Sequence, residues 1–245
     1  MARNPVRSSC AHPHECSLDV RLKVLARSPL TSALSRQDHL DLDRYLTALG
    51  WAAGDPLILA GEQAHGTLMV VAGRVRITKD TIDCREVTVD IAGPGDIIGP
   101  LHTFASPATE SAWAMETSCT LYLPATALET VVQRYPTIAL AIMRMQQEQL
   151  ARSRARKTAQ ATTSVEQRVA ATLAHLDAKF GDSRHDGSRL LQVRLRREDI
   201  AGMAGTTIES ASRTLAKMKA AGTIDSGREW IAITDRNALA ELAAS

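Results

Sequence analysis

The 245-residue sequence predicts an α+β protein, in which a domain of short strands is followed by a long helix, two short helices and a hairpin. Three patterns predict this order. From about Trp51 to Leu123, short apolar runs such as PLILAG, TLMVVAG and VTVDIAG alternate with glycines, which is typical of an all-β sandwich or roll. No Gly or Pro lies between Pro136 and Gly181, which favours long helices. Near the C-terminus, apolar residues recur at helical spacing on both sides of Gly205.

The residues before the strand domain comprise an N-terminal arm and a predicted helix. Residues 1–27 begin with little apolar patterning, although residues 18–25 fit a short helix. After Pro29, residues 30–46 carry apolar side chains at helical spacing, so a helix is predicted to lead into the sheet. We therefore expect four parts, namely an arm (1–27), a strand domain (28–136), a long helix (137–163) and a C-terminal domain (164–245).

The predicted long helix combines an apolar stripe with a basic block. Pro136 suits its first turn, because proline is tolerated at the start of a helix. Ser164 and Gln167 then have the spacing of a capping box, so a second helix is predicted to end near Gly181. The stripe comprises Ile138, Ile142, Met145 and Leu150, and the block comprises Arg152, Arg154, Arg156 and Lys157.

The C-terminal domain has the pattern of two helices joined by a tight turn. Ile200 and Met203 share one face of a short helix, which Gly205 ends. Thr206 and Glu209 have the spacing of a capping box, so the second helix is predicted to start there. Residues 223–235 fit the two strands of a wing. The predicted buried stripe of the second helix comprises Ile208, Ala211, Leu215 and Met218.

Three polar residues near the start of the second helix suit the edges of DNA bases. Glu209, Ser212 and Arg213 fall at i, i+3 and i+4, so they share a face. Arginine pairs bidentately with guanine, glutamate accepts from cytosine N4, and serine serves either role. Two helices joined by a tight turn, with polar side chains at the start of the second helix, form the helix-turn-helix arrangement that enters the major groove. Spacing alone also fits an ordinary solvated face.

Composition and charge exclude several classes of protein. No apolar run approaches the roughly 18 residues of a membrane span, and the N-terminus lacks a signal-peptide core, so we expect a cytoplasmic protein. HExxH, GxSxG and Walker-type motifs are absent, so an enzyme is not predicted. Residues 1–136 hold 12 Lys/Arg and 15 Asp/Glu, whereas residues 137–245 hold 17 and 12. The basic C-terminal half is therefore the half suited to phosphates.

The Glu209-x-x-Ser212-Arg213 motif, the adjoining turn and the wing resemble the C-terminal winged helix of the CRP/FNR family of bacterial transcription regulators, in its FNR-type form. The strand domain resembles the family's cyclic-nucleotide-binding-type β-roll, and residues 137–163 resemble its dimerisation helix, although a helix buried within one domain would show the same stripe. The resemblance implies a homodimer that binds double-stranded DNA and RNA polymerase. It also implies palindromic sites with half-sites like TTGAT and ATCAA. The glycine pattern that carries the β-roll resemblance comprises Gly54, Gly61, Gly73, Gly95 and Gly99.

The resemblance also identifies where family members of the CRP type hold cyclic AMP. Those members use a Gly-Glu-Leu segment for the ribose and an Arg-Ser/Thr pair for the phosphate. Here the corresponding segments read Gly99-Pro100-Leu101 and Glu110-Ser111-Ala112. A carboxylate beside a phosphodiester repels it, whereas an arginine forms a charge-assisted pair. Cyclic AMP is therefore not the expected ligand.

The cysteines suggest a different sensor. FNR-type members hold a [4Fe–4S] cluster with closely spaced N-terminal cysteines and one later cysteine in the β-roll, and thiolates suit such clusters because they are soft anionic ligands. By resemblance, the predicted ligands here are Cys10, Cys16 and Cys119. The third N-terminal cysteine of the family is missing. The candidates for a fourth ligand are Cys84, His12, His14 and Asp19.

Three alternatives to a cluster remain open. The run CAHPHEC also suits zinc, whose sites accept Cys and His together. Some family members sense gases through haem. A reversible disulfide would need no cofactor at all. Cys84 lies in IDCRE, which resembles a hairpin tip, so we expect it to be a surface thiol.

Overall fold

A computed structural model describes residues 5–6, 13, 16–82, 85–102, 104 and 106–244. The chain divides into two compact units. The first comprises residues 8–86 and 90–153, and the second comprises residues 154–245 together with 1–7 and 87–89. The boundary near residue 153 falls inside the predicted long helix.

The first unit begins with two helices, α1 (Leu18–Arg27) and α2 (Arg36–Asp43). The structure confirms the short helix predicted near residue 18. The helix predicted over residues 30–46 is shorter than expected, because residues 30–34 form turns and Ser35 caps α2 in a capping box with Asp38.

The β-roll predicted by the short apolar runs is confirmed. One sheet has the order β1-β10-β4-β7, another has the order β2-β9-β5-β6, and β3 pairs with β8. The five glycines of the predicted pattern all have φ between +85° and +94°, a conformation that favours glycine and explains their spacing at the turns. The strands are β1 (Thr47–Trp51), β2 (Pro56–Ile58), β3 (Gln63–Ala64), β4 (Gly66–Ala72), β5 (Val75–Asp80), β6 (Glu86–Ala92), β7 (Ile97–Ile98), β8 (Ser106–Pro107), β9 (Ser111–Ala114) and β10 (Ser118–Pro124).

Strand β10 contributes to two separate apolar cores. Cys119, Leu121 and Leu123 lie in one core together with side chains of α1 and α2. Tyr122 packs instead against the second core, which lies among the strands. This division follows from the alternation of side chains along a strand. The sheet therefore presents Cys119 to the core that contains the N-terminal helices.

The first unit ends with α3 (Ala125–Arg134) and with the part of α4 (Pro136–Thr162) up to residue 153. The prediction of a long helix from residue 137 is confirmed. Most of the predicted stripe packs within its own unit, as in the alternative of a helix buried within one domain, because Ile138 is buried and Ile142 and Met145 pack against the core there. Leu150, by contrast, is 52% exposed.

The second unit has the predicted winged helix-turn-helix order. Its sheet has the order β11-β12-β14-β13. Ser164 and Gln167 form the predicted capping box at the start of the second unit's first complete helix. Its elements are α5 (Val165–Phe180), β11 (Gly181–Ser183), β12 (Arg189–Leu191), α6 (Arg197–Met203), α7 (Ile208–Ala220), β13 (Ile224–Gly227), β14 (Trp230–Ile233) and α8 (Arg236–Ala244).

None of the described helices, including the 27-residue α4, is both long enough and apolar enough to cross a bilayer.

Candidate DNA-reading helix and thiol core

The turn between α6 and α7 is closed by a glycine in a left-handed conformation. Gly205 has φ +60°, and its N–H donates to Gly202 O at 3.1 Å. The Thr206 N–H donates to Ala201 O at 2.9 Å, which completes a Schellman motif. The turn is therefore tight and fully hydrogen-bonded at the point where the chain enters α7.

The three predicted base-reading residues lie together at the N-terminal end of α7. Glu209 and Arg213 are exposed, and Ser212 is half-buried. The opposite face is anchored in the core through Ala211, Leu215 and Met218, which are all at most 1% exposed. A well-anchored helix thus presents a polar face at its accessible end, as a major-groove reader requires.

Neighbouring side chains support the polar face of α7. Ser210 Oγ accepts a hydrogen bond from Arg213 Nη2 at 3.2 Å. Hydrogen bonds from the Glu209 backbone N–H and the Thr207 hydroxyl lower the pKa of the Glu209 carboxyl from its ordinary value. The carboxylate is therefore ionised at neutral pH and able to accept from a base amino group.

Two details of the predicted second helix are wrong. The N-cap is Thr207 rather than Thr206, because Thr207 Oγ1 accepts from the Ser210 N–H at 3.2 Å and Thr206 belongs to the Schellman turn. Ile208 does not lie in the buried stripe and is 49% exposed, because it occupies the first turn of α7 and the buried face begins at Ala211. The supporting role of Ser210 also escaped sequence reasoning, although Thr207-x-x-Ser210 carries the signal of an N-cap.

In the first unit, the structure brings two of the predicted thiol ligands into one core. Cys16, just before α1, is 3% exposed, and Cys119 in β10 is 0% exposed. Both are thiols and belong to the same apolar cluster, which also contains Leu22 and Leu25 of α1. Two soft sulfur donors in an apolar setting fit part of the ligand set of an iron–sulfur cluster.

Of the other predicted ligands, one lies in the part of the chain that the structure describes. Cys10, His12, His14 and Cys84 lie outside the described residues. Asp19 is exposed on α1. Within the described ranges, no group of three or more His, Cys, Asp or Glu side chains is arranged to hold a metal ion.

The segments that resemble the family's cyclic nucleotide site, residues 99–101 and 110–112, both lie in the described part of the chain. Glu110 is half-buried, and the Ser111 hydroxyl accepts a hydrogen bond from the Ala60 N–H at 3.0 Å. An open pocket of about 680 Å³, including space continuous with solvent, lies next to both segments, because its lining residue Ile58 pairs with Ala112 and lies close to Gly99. Leu57, Ile58 and Tyr122 help to line that pocket, and segments 99–101 and 110–112 do not. Residues 99–101 and 110–112 contain no cationic side chain, so these two segments cannot pair with a phosphodiester as an arginine does.

Two family models match separate parts of the chain. The model of a Crp-like helix-turn-helix domain matches residues 167–242, and the model of a cyclic nucleotide-binding domain matches residues 50–135. The two matches coincide with the winged helix-turn-helix unit and with the β-roll.

Individual relatives match nearly the whole chain at low identity. A CRP-like cAMP-activated global transcriptional regulator of Mycobacterium tuberculosis is 26% identical over 222 residues, which cover 90% of this chain and 99% of that protein. Electron transport regulator A of Shewanella oneidensis is 25% identical over 98% of this chain and 94% of that protein. The solved structure of FixK2 from Bradyrhizobium japonicum has the same fold, with a TM-score of 0.71 and 23% identity over 82% of this chain and 98% of that one.

Proposed function

We propose that this chain is a transcription regulator of the CRP/FNR type, which binds palindromic DNA of the FNR type as a homodimer and senses oxygen, nitric oxide or redox state. The observation that carries the DNA-binding part is the polar end of α7. There Glu209, Ser212 and Arg213 are accessible on a helix whose opposite face is buried.

Each residue of this trio has a role in reading bases. Arg213 pairs with O6 and N7 of a guanine, and Glu209 accepts from the amino group of a cytosine. Ser212 hydrogen-bonds to a neighbouring base edge. Half-sites like TTGAT and ATCAA, about one helical turn apart, present a guanine and its paired cytosine to each copy of α7.

The dimer forms along α4. Leu140, Met143 and Leu150 recur at helical spacing and are 52%, 65% and 52% exposed. Burial of each side chain against a second copy contributes roughly 1.5–3 kcal/mol when it is complete. This face replaces the predicted stripe, because Ile138 is already buried within its own unit. RNA polymerase is the further partner that a family regulator of this kind meets at a promoter.

The sensor is an iron–sulfur cluster of the [4Fe–4S] type held by Cys10, Cys16 and Cys119, with the fourth ligand open. The shared core of Cys16 and Cys119 supports this proposal, since it brings together thiols from distant parts of the sequence. Such a cluster supplies oxygen- and redox-sensitive chemistry. The chain's own contribution is to exclude water around the two sulfurs, because Leu22 and Leu25 pack in the same core.

In the alternative proposals the protein is the same DNA-binding regulator, and only the chemical group that senses the signal differs. One is haem, and the other is a reversible disulfide. The relatives do not separate them, since one is named as cAMP-activated and another as an electron transport regulator. Cyclic AMP itself is not proposed as the ligand, because Glu110 replaces the arginine that would pair with its phosphate.

Two measurements test this proposal. In a mobility-shift assay with excess random DNA, the protein should bind a TTGAT and ATCAA palindrome and not a scrambled sequence of equal length. The visible spectrum of protein purified without oxygen should show a broad shoulder that disappears in air. A sharp Soret band would identify haem instead, and a featureless spectrum would leave zinc or thiol chemistry. Equal binding to both DNAs would contradict the reading role of α7.

A further inference from the structure

Arg168, in the N-terminal part of α5, connects the ends of two other helices. Its Nε donates to Ala204 O at 2.9 Å, and its Nη1 donates to Thr163 O at 2.6 Å. Ala204 is the C-cap of α6, directly before the glycine of the helix-turn-helix turn. Thr163 directly follows α4. One guanidinium therefore joins the end of the dimerisation helix to the turn that precedes α7.

The two carbonyls are natural acceptors for a guanidinium. The last carbonyls of a helix have no partner within the helix, and the C-terminal end carries partial negative charge. The arginine fork holds several donors in one plane, so Arg168 can bond to both carbonyls at once. A lysine ammonium is a compact charge on a flexible stem and does not impose this geometry.

The position of Arg168 on its own helix does not explain its presence. A cation near the N-terminus of a helix lies close to the positive end of the helix dipole, which is unfavourable. Ser164 and Gln167 already cap α5 without help from Arg168. The contacts to Ala204 and Thr163 therefore account for this side chain better than the local stability of α5 does.

A second contact brings α4 against the same turn. A Cβ added at Gly205 would lie 2.4 Å from Nε2 of Gln160, so the Gln160 side chain closely approaches the turn. The Lys217–Glu166 pair, at 2.7 Å, also joins α7 to α5, but both ends are partly exposed and a pair of this kind contributes little. Arg168 is thus the main polar link between the end of α4 and the helix-turn-helix turn among these contacts.

We propose that Arg168 is a positioning residue that sets the spacing between half-sites which the dimer accepts. The inference rests on the proposed DNA-binding function. Arg168 itself touches no base. By holding Ala204 and Thr163, it fixes the direction in which α7 leaves the end of α4, and hence the distance between the two copies of α7 across the dimer. Base choice within one half-site remains with Arg213 and its neighbours.

The test compares three DNAs. The first is the TTGAT and ATCAA palindrome, the second has one base pair added between the half-sites, and the third has the guanine of each half-site replaced. Dissociation constants for the full-length protein give a spacing ratio and a base ratio. Arg168→Lys should lower the spacing ratio towards one and leave the base ratio unchanged. Glu166→Gln, two residues away, is the matched control and should leave both ratios unchanged.

The other outcomes overturn the inference. Unchanged ratios in Arg168→Lys would show that the two hydrogen bonds do not set spacing. A parallel fall of both ratios, or the same effect in Glu166→Gln, would show a general loosening of the domain. Loss of the thermal unfolding transition in Arg168→Lys would make Arg168 a folding determinant instead. If the wild-type protein shows no preference for the palindrome, the proposed function fails first, and the inference fails with it.

Discussion

The DNA-reading surface and the thiol core are built in opposite ways. Glu209, Ser212 and Arg213 lie close together in the sequence at the accessible end of one helix. Cys16 and Cys119 come from distant segments and belong to the same buried apolar core. In a local, exposed site, single side chains can be substituted without disturbing the fold. A buried site built from distant segments depends on the packing of the whole domain, so its chemistry and its stability are linked.

Removal of the buried thiols should have the largest effect. Cys16→Ala and Cys119→Ala should each abolish the anaerobic visible absorbance and the bound iron, because each removes a proposed anionic ligand. Absorbance and iron content per chain, measured without oxygen, check this result. Cys84→Ala is the control and should retain the colour. Loss of colour in Cys84→Ala, with colour kept in Cys119→Ala, would contradict the assignment of the ligands.

The two faces of α7 should differ strongly in their contribution to stability. Leu215 is fully buried, so Leu215→Ala should lower the free energy of unfolding by about 2–5 kcal/mol. Ile208 is 49% exposed, so Ile208→Ala should change the free energy of unfolding by at most about 0.5 kcal/mol. Urea denaturation of both variants checks this contrast. Similar losses in the two variants would mean that Ile208 is buried in solution.

A smaller effect is expected at the reading surface itself. Arg213→Ala should weaken binding to the palindrome by about 1–3 kcal/mol and relax the choice at one guanine, while the free energy of unfolding stays unchanged. Fluorescence anisotropy on matched and substituted sites measures both properties. Lys217→Ala, on the same helix, is the control and should change binding to specific and random DNA by the same factor. Equal losses on specific and random DNA for Arg213→Ala would show that Arg213 contacts only phosphate.

The contrast between features formed by neighbouring residues and features formed by distant segments explains what the sequence could predict. The long helix, the Ser164–Gln167 capping box and the helix-turn-helix depend on short-range spacing, and all three are present. The errors occurred where neighbouring elements decide the outcome. The exposure of Ile208 and the burial of Ile138 depend on which other elements cover them, and helical spacing contains no such information.

The contacts that link distant segments were the least predictable. Cys119 was selected through a family resemblance, and its shared core with Cys16 became evident only in the fold. The bridge from Arg168 to Ala204 joins residues 36 positions apart and uses a backbone acceptor, so no side-chain pattern indicates it. Local hydrogen-bond signals such as Thr207-x-x-Ser210 were available in the sequence, but the adjacent Thr206-x-x-Glu209 pattern competed with them.

A sensor of the proposed kind makes the affinity for DNA depend on the state of the thiol core. The most direct test is the dissociation constant for the TTGAT and ATCAA palindrome, measured without oxygen and again after exposure of the same sample to air. A Cys119→Ala sample treated identically is the control. The wild-type protein should bind tightly before exposure and weakly after it, and the variant should bind weakly throughout. The same dissociation constant for the wild-type protein before and after loss of its visible absorbance would contradict the claim.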